Sequence, residues 1–262
     1  MTNIYQITHY TYDNAIHVLF QGCNFQCKGC YIKDRKWDFH LPDDVQRHLQ
    51  TIKDFRRLSL SEFKTIVKRL NVERAILGGE EPTLDEELPD VIDLLNGLGI
   101  KTLLTTNGHI LNEKLIEKLE EVGLSGIQMS IRAYDDGIHR FYTGQTNKSV
   151  LDNFKLLSKS RIKLMAESIL IPGLIEQSEI ERIAKFIASI NPAIPYRIDG
   201  FVPFHDAPWR SHSPEEVIRT AQIAKRHLWI VYYIHCEAGR VGKVINVYPT
   251  IKDDNPCPTP FS

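Results

Sequence analysis

The sequence predicts an α/β chain organised on a parallel sheet, and three features carry that prediction. Short apolar runs recur at 16–20, 75–77, 102–104, 126–131, 164–171 and 197–202; segments of helical periodicity separate them; and those segments carry their own start and stop signals. Strand then helix, repeated, gives a parallel sheet, because each helix returns the chain to the end of the sheet where the previous strand began. With right-handed crossovers, such units either close partway into a barrel or spread into an open doubly wound sheet.

In chain order, the strand at 16–20 comes first and leads into a cysteine-rich loop. Ser59 with Glu62 forms a capping-box pattern ahead of Phe63, Ile66, Val67 and Leu70, which marks the start of a helix. Helices follow at 85–98, 112–122, 149–160 and 178–190, with Gly99 and Gly123 where left-handed C-terminal caps belong. Ser213, Pro214 and Glu216 supply a cap, a first-turn proline and a capping glutamate for another helix. The arrangement contains its own test. Gly78-Gly79-Glu80-Glu81-Pro82 follows the second strand and Thr105-Thr106-Asn107-Gly108 ends the third. In either parallel fold these segments and the cysteine loop open onto one mouth, at the C-terminal ends of the strands.

Bulk composition narrows the class. A chain of 262 residues, 42% hydrophobic and 25% charged, is long enough for one large domain with a substantial core. A net charge of −1 creates no whole-molecule field toward nucleic acid or an anionic membrane. Residues 1–14 lack a basic start followed by an apolar stretch, and no apolar run approaches the roughly 20 residues needed to span a bilayer. The expectation is a cytoplasmic protein with no membrane contact and no strong nucleic-acid signal. Three of the five cysteines lie between 23 and 30, which does not look like a dispersed disulfide framework and points to metal.

The loop reads Gly22-Cys23-Asn24-Phe25-Gln26-Cys27-Lys28-Gly29-Cys30-Tyr31, a C-x3-C-x2-C spacing. So short a loop can wrap three thiolates around three corners of an iron–sulfur cube, thiolate being the soft ligand such clusters take. With no fourth cysteine in the loop, one iron keeps an open position, which favours substrate binding over pure electron transfer. Taken alone, the loop also fits a zinc site completed by a nearby residue such as His40.

The loop, the Gly78-Gly79-Glu80-Glu81-Pro82 turn and the Asn107 segment, in that order, resemble the radical S-adenosylmethionine (SAM) superfamily. The resemblance covers roughly residues 16–227. It implies a partial (β/α)6 TIM-like barrel of the radical SAM type, a single domain over 1–262 with its core at about 15–235. Residues 33–58 would be an elaboration after the cluster loop and 236–262 a C-terminal extension. It also implies one 4Fe–4S cluster on Cys23, Cys27 and Cys30. SAM's methionine chelates the open iron, and reductive cleavage yields a 5′-deoxyadenosyl radical that takes hydrogen from a substrate. Gly78, Gly79, Glu80 and Glu81 would meet SAM's amino group through backbone carbonyls and carboxylate, Asn107 its ribose or carboxylate, and Tyr31 would pack on the cofactor.

Ser130-Ile131-Arg132, Ile169-Leu170-Ile171-Pro172-Gly173 and Phe201-Val202-Pro203-Phe204-His205 further resemble the glycyl-radical-enzyme activases, such as the pyruvate formate-lyase activator. Arg132 would then bind the SAM carboxylate, and His205 would approach SAM. The implied partners are SAM, an electron donor such as flavodoxin or ferredoxin, and a glycyl-radical protein. The chain departs from the pattern at Gly29, where an aromatic residue is usual, at Ser130, where an aspartate is usual, and at Glu167, where arginine is usual. Those departures keep a second reading open, the radical modification of a small metabolite, cofactor precursor or RNA base. A third is a non-catalytic metal-binding scaffold. Cys236 and Cys257 are expected to be packed, inert residues, because an auxiliary cluster needs a fuller set of thiolates. His40, His48 and Trp37 fall in the elaboration, expected to be solvated surface structure, and residues 249–262, rich in proline, are expected to form an irregular tail.

Overall fold

A computed structural model describes residues 1–52, 56–204, 207–235 and 242–251. Its strands are β1 (Ile4–Tyr10), β2 (Ala15–Phe20), β3 (Arg74–Gly79), β4 (Lys101–Thr106), β5 (Gly126–Ser130), β6 (Lys163–Leu170), β7 (Tyr196–Gly200), β8 (Val231–Ile234) and β9 (Val244–Tyr248). They form one sheet in the order β8-β7-β6-β5-β4-β3-β2-β1-β9. From β2 to β8 every neighbouring pair is parallel, while β1 runs antiparallel to both β2 and β9. The six expected strands are β2 to β7, each within two residues of its expected limits.

The helices are α1 (Tyr31–Asp34), α2 (Asp43–Leu49), α3 (Leu60–Val67), α4 (Leu88–Gly97), α5 (Glu113–Glu121), α6 (Asp136–Thr143), α7 (Lys148–Leu157), α8 (Gln177–Ile190) and α9 (Pro214–Ala224). Both expected capping boxes are made, by Ser59 with Glu62 and by Ser213 with Glu216. Gly99 and Gly123 take the left-handed backbone of their positions, with φ of 76° and 80°. None of these helices is long and apolar enough to cross a membrane.

Strand parity decides between the two parallel architectures. Ile16, Val18 and Phe20 of β2, Ala75 and Leu77 of β3, Leu104 of β4, and Ile127 and Met129 of β5 merge with the buried stripes of the helices into one core. A doubly wound sheet would need an apolar helix-covered surface on both faces. Here the other parity, His17, Leu19, Ile76, Leu103 and Thr105, is partly exposed. The helices therefore cover one face, the sheet curls as a partial barrel, and the opposite parity lines its concave side.

The described part of residues 33–58 is less solvated than expected. Trp37, Leu41 and Leu49 form a small second core with Tyr5 of β1, and Leu19 of β2 packs against it, so this segment covers part of the concave side. Its polar attachment is Asp38, whose carboxylate accepts from Thr8 Oγ1 at 2.8 Å and Tyr10 Oη at 2.7 Å. Burial pushes its carboxyl up, but hydrogen bonds from the His40 side chain and backbone N–H, the His40 charge and the Tyr10 hydroxyl outweigh it and hold it at about 2. The described part of the expected irregular tail, residues 249–251, follows directly after β9 and forms neither helix nor strand, and Cys236 and Cys257 lie outside the described residues.

Candidate functional site

The cysteine loop begins where β2 ends and is strung between two anchors. On one side Gly22 N–H donates to Glu80 Oε2 at 2.9 Å, and the Gly22 carbonyl accepts from Glu81 N–H at 2.9 Å. On the other, Gln26 N–H and Lys28 N–H donate to the carbonyls of Thr143 and Tyr142, at 2.8 and 3.0 Å, in the last turn of α6. The glycine at 29 has a packing cause. A Cβ there would lie 2.8 Å from the Phe201 ring and 3.1 Å from Tyr142 Oη, so the aromatic residue usual in the resemblance has no room.

The three thiols are free rather than paired in disulfides, with Cys23 exposed and Cys27 and Cys30 half-buried. Burial pushes the Cys23 and Cys27 thiols up to about 11, and the thiolate charges of their neighbours push the same way. A trio of soft donors in which Cys23 and Cys27 resist becoming anions is suited to a site where iron supplies the compensating charge, since a coordinating metal deprotonates its thiols. A cube also bonds each thiolate through a separate iron and does not require the sulfurs to converge on one point. Among the described residues no three His, Cys, Asp or Glu side chains do so converge. His40, which a zinc site would draw on, is instead engaged by Asp38 at 3.0 Å and Tyr10 at 2.8 Å.

The β3 and β4 termini meet this loop, as one mouth requires. Asn107 donates from Nδ2 to Asn24 Oδ1 at 2.7 Å and lies 3.9 Å from Cys23 Sγ. Glu80 reaches the loop through Gly22. Glu81, expected to face SAM, turns inward: at 1% exposure its carboxylate accepts from Thr83 N–H and Oγ1, Thr106 Oγ1 and Asn107 N–H. With so many donors on it, Glu81 ties the β3 turn to the β4 turn. Gly78 makes room for the Thr105 hydroxyl, which would sit 2.5 Å from a Cβ. Gly79 has φ +96°, and a Cβ would come within 2.9 Å of the Phe20 backbone. Gly79→Ala therefore strains β2 against β3 and costs about 2 kcal/mol. The melting temperature should fall by roughly 4–8 °C; an unchanged melt would contradict the strain.

Ser130 and Arg132 lie at the end of β5 with a partner on β6. Ser130 and Glu167 are register partners, and the Ser130 hydroxyl donates to the Glu167 carboxylate. Arg132 pairs with Glu167 at 3.1 Å and donates to Ser130 Oγ at 3.2 Å. Burial would push the Glu167 carboxyl up, but Arg132, the Ser130 hydroxyl and Arg197 outweigh it and hold it below the ordinary glutamate range. The Arg132 charge in turn pulls the Cys27 thiol down, opposing the effect of burial. The carboxylate that Ser130 lacks thus stands one strand over.

Sequence reasoning missed Arg197 and Asp199 of β7, which form a two-bond ion pair at 2.7 Å each. Their one available signal was charge at alternate positions of an otherwise apolar strand. Tyr31, directly after Cys30, packs its ring against Phe39 at 5.1 Å and Phe204 at 5.8 Å. His205 lies outside the described residues.

Comparison with known proteins agrees with this geometry. A protein of Methanocaldococcus jannaschii, provisionally named a glycyl-radical enzyme activating enzyme, is 29% identical over 228 residues, 85% of this chain and 81% of that one. A GTP 3′,8-cyclase of Aquifex aeolicus is 29% identical over 180 residues, 66% of this chain, which spans only 52% of the cyclase. Streptococcus suis SuiB bound to its precursor peptide SuiA shares the fold at a TM-score of 0.63 and 14% identity, over 82% of this chain and 47% of that one. The model of the radical SAM superfamily matches residues 18–187. More than half of the sequence is thereby accounted for, and the chain belongs to the radical SAM superfamily, enzymes of oxidoreductase type whose cofactors are a 4Fe–4S cluster and SAM.

Proposed function

We propose that the protein is an activating enzyme that removes hydrogen from a glycine of a partner protein and leaves a glycyl radical there. The observation that carries this reading is the open side of the barrel. The sheet ends at β8 and β9, which do not pair with each other, so a peptide segment can reach a concave face that a closed barrel would seal. Two comparisons support it. The Methanocaldococcus jannaschii relative matches over most of its own length, and SuiB was solved with a peptide on the same fold.

In this reading Cys23, Cys27 and Cys30 hold the cluster. When bound, it supplies the electron that breaks SAM's sulfonium bond and so yields the 5′-deoxyadenosyl radical. Gly78, Gly79 and Glu80 receive SAM's amino group, Asn107 a polar edge, and Arg132, steadied by Ser130 and Glu167, the carboxylate. Glu81 keeps the two turns together, and Tyr31 walls the cofactor.

The test is electron paramagnetic resonance on the anaerobically reconstituted protein with SAM, a reductant and a candidate glycyl-radical protein. A persistent doublet that requires all components is expected. A silent spectrum while 5′-deoxyadenosine accumulates would instead favour modification of a small metabolite, cofactor precursor or RNA base. That second reading draws on the Ser130–Glu167 pairing and on the cyclase relatives.

A further inference from the structure

Arg197 and Asp199 stand two residues apart on β7, so their side chains share one face of the strand. Register carries that face across the sheet: Thr105 pairs with Gln128, Ser130 with Glu167, Glu167 with Arg197 and Ile169 with Asp199. The pair therefore lines the concave side, one strand away from the Glu167 carboxylate that steadies Arg132. Such a pair gains the fold little. Both partners belong to one strand, so it joins no two elements, and charges only 33% and 25% exposed carry a desolvation cost that opposes their attraction. The two bonds to Asp199 use Nε–H and one Nη2–H of Arg197. Three guanidinium N–H groups remain as donors, and both Asp199 oxygens keep lone pairs as acceptors; among the described residues no other hydrogen bond takes them.

We propose that Arg197 and Asp199 hold the main chain of the partner's glycine segment, the guanidinium donating to a peptide carbonyl and the carboxylate accepting from a neighbouring peptide N–H. The inference rests on the activating-enzyme reading and names residues that would give it specificity. A glycine offers no side chain to grip, so it is recognised through the amide groups on either side, each of which presents one acceptor and one donor. A donor and an acceptor locked side by side by their own ion pair match that pattern and are already ordered before the peptide arrives. The charge on this wall decides between ligand classes. Arg132 and Arg197 stand against Glu167 and Asp199, so the four cancel. A nucleoside triphosphate needs a surplus of cations and would meet two carboxylates here, whereas an uncharged backbone needs none. The pair itself moves no proton or electron.

The test uses the reconstituted protein with SAM, dithionite and the capped peptide acetyl-Ala-Ala-Gly-Ala-Ala-amide, deuterated at the glycine α-carbon. Deuterium carried into 5′-deoxyadenosine is followed against peptide concentration. Arg197→Met/Asp199→Leu replaces the pair by apolar groups of similar bulk, a change that half-buried ion pairs tolerate. Expected is a rise of about tenfold or more in KM for the peptide, with a much smaller change in kcat. The exchanged variant Arg197→Asp/Asp199→Arg keeps an ion pair on the strand but trades donor for acceptor, and should show a similar rise. It carries the test if the apolar variant loses iron or melts early. A wild-type KM in either folded variant overturns the proposal, since the exchange preserves whatever a merely structural pair would do. Added GTP should leave the wild-type KM unchanged; competition that the apolar variant removes would assign the pair to a nucleotide and overturn the proposal as well. A wild type that forms 5′-deoxyadenosine without deuterium at saturating peptide refutes the activating-enzyme reading itself, and this proposal falls with it.

Discussion

Cys27→Ala, reconstituted without oxygen, should hold almost no iron where the wild type holds about four per chain, lose the absorption near about 400 nm, and form no 5′-deoxyadenosine. The middle thiol of the loop has no substitute. Its neighbours Cys23 and Cys30 would leave a cube held at two corners and open to solvent on the others. The loop backbone itself should survive, because its anchors at Gly22, Gln26 and Lys28 are main-chain hydrogen bonds that alanine does not disturb. An unchanged melting curve of the metal-free protein beside complete loss of iron is therefore the expected pair of results. A variant with wild-type iron and wild-type SAM cleavage would refute the assignment of the cysteines.

Glu167→Gln should lower stability at neutral pH by about 3 kcal/mol, because it leaves the Arg132 guanidinium without its carboxylate at a site where little water can replace it. The side chains of Arg132 and Glu167 are 19% and 8% exposed, so the pair behaves as mostly buried, and its loss should fall at the lower end of that class of effect. The pH dependence follows from the direction of the shift. The folded-state pKa of Glu167 is depressed, so its contribution is fully present above the ordinary glutamate range and is lost as pH falls through its own lower value. The stability gap between wild type and variant should stay constant from pH 8 to about pH 6 and close as acid is added below that. Urea melts across that range check it, and a gap that widens in acid would show that Arg132 does not depend on this carboxylate.

The positions of β2 to β7 and the two capping boxes were legible because each is written in local pattern: buried apolar runs for the strands, a hydroxyl and a glutamate at fixed spacing for the caps. β1 was not legible. Gln6 and Thr8 are fully buried there, and Asp38 and Asn246 satisfy their polar groups, so no local apolar alternation marks them as interior. The short β8 escaped for the opposite reason, since Tyr232, Tyr233 and Ile234 are exposed at the sheet edge. The α6 helix, with Gly137 in its first turn and few apolar residues, gave no sustained period, although its last turn anchors the cysteine loop.

Within the site, residue type and spacing along the chain singled out Cys23, Cys27 and Cys30, because a thiolate trio on a short loop has few uses other than metal. Order along the chain placed the Gly78 and Asn107 turns at the same mouth, since a parallel sheet puts every strand's end on one side. What folding alone decided was which side chains face that mouth and which turn away. Glu80 and Glu81 are adjacent in sequence and identical in type, yet one holds the cluster loop and the other is buried between two turns. Ser130 lacks an acid that Glu167 supplies from the next strand. Such differences depend on contacts between segments tens of residues apart, whose burial and pairing energies a linear pattern does not contain.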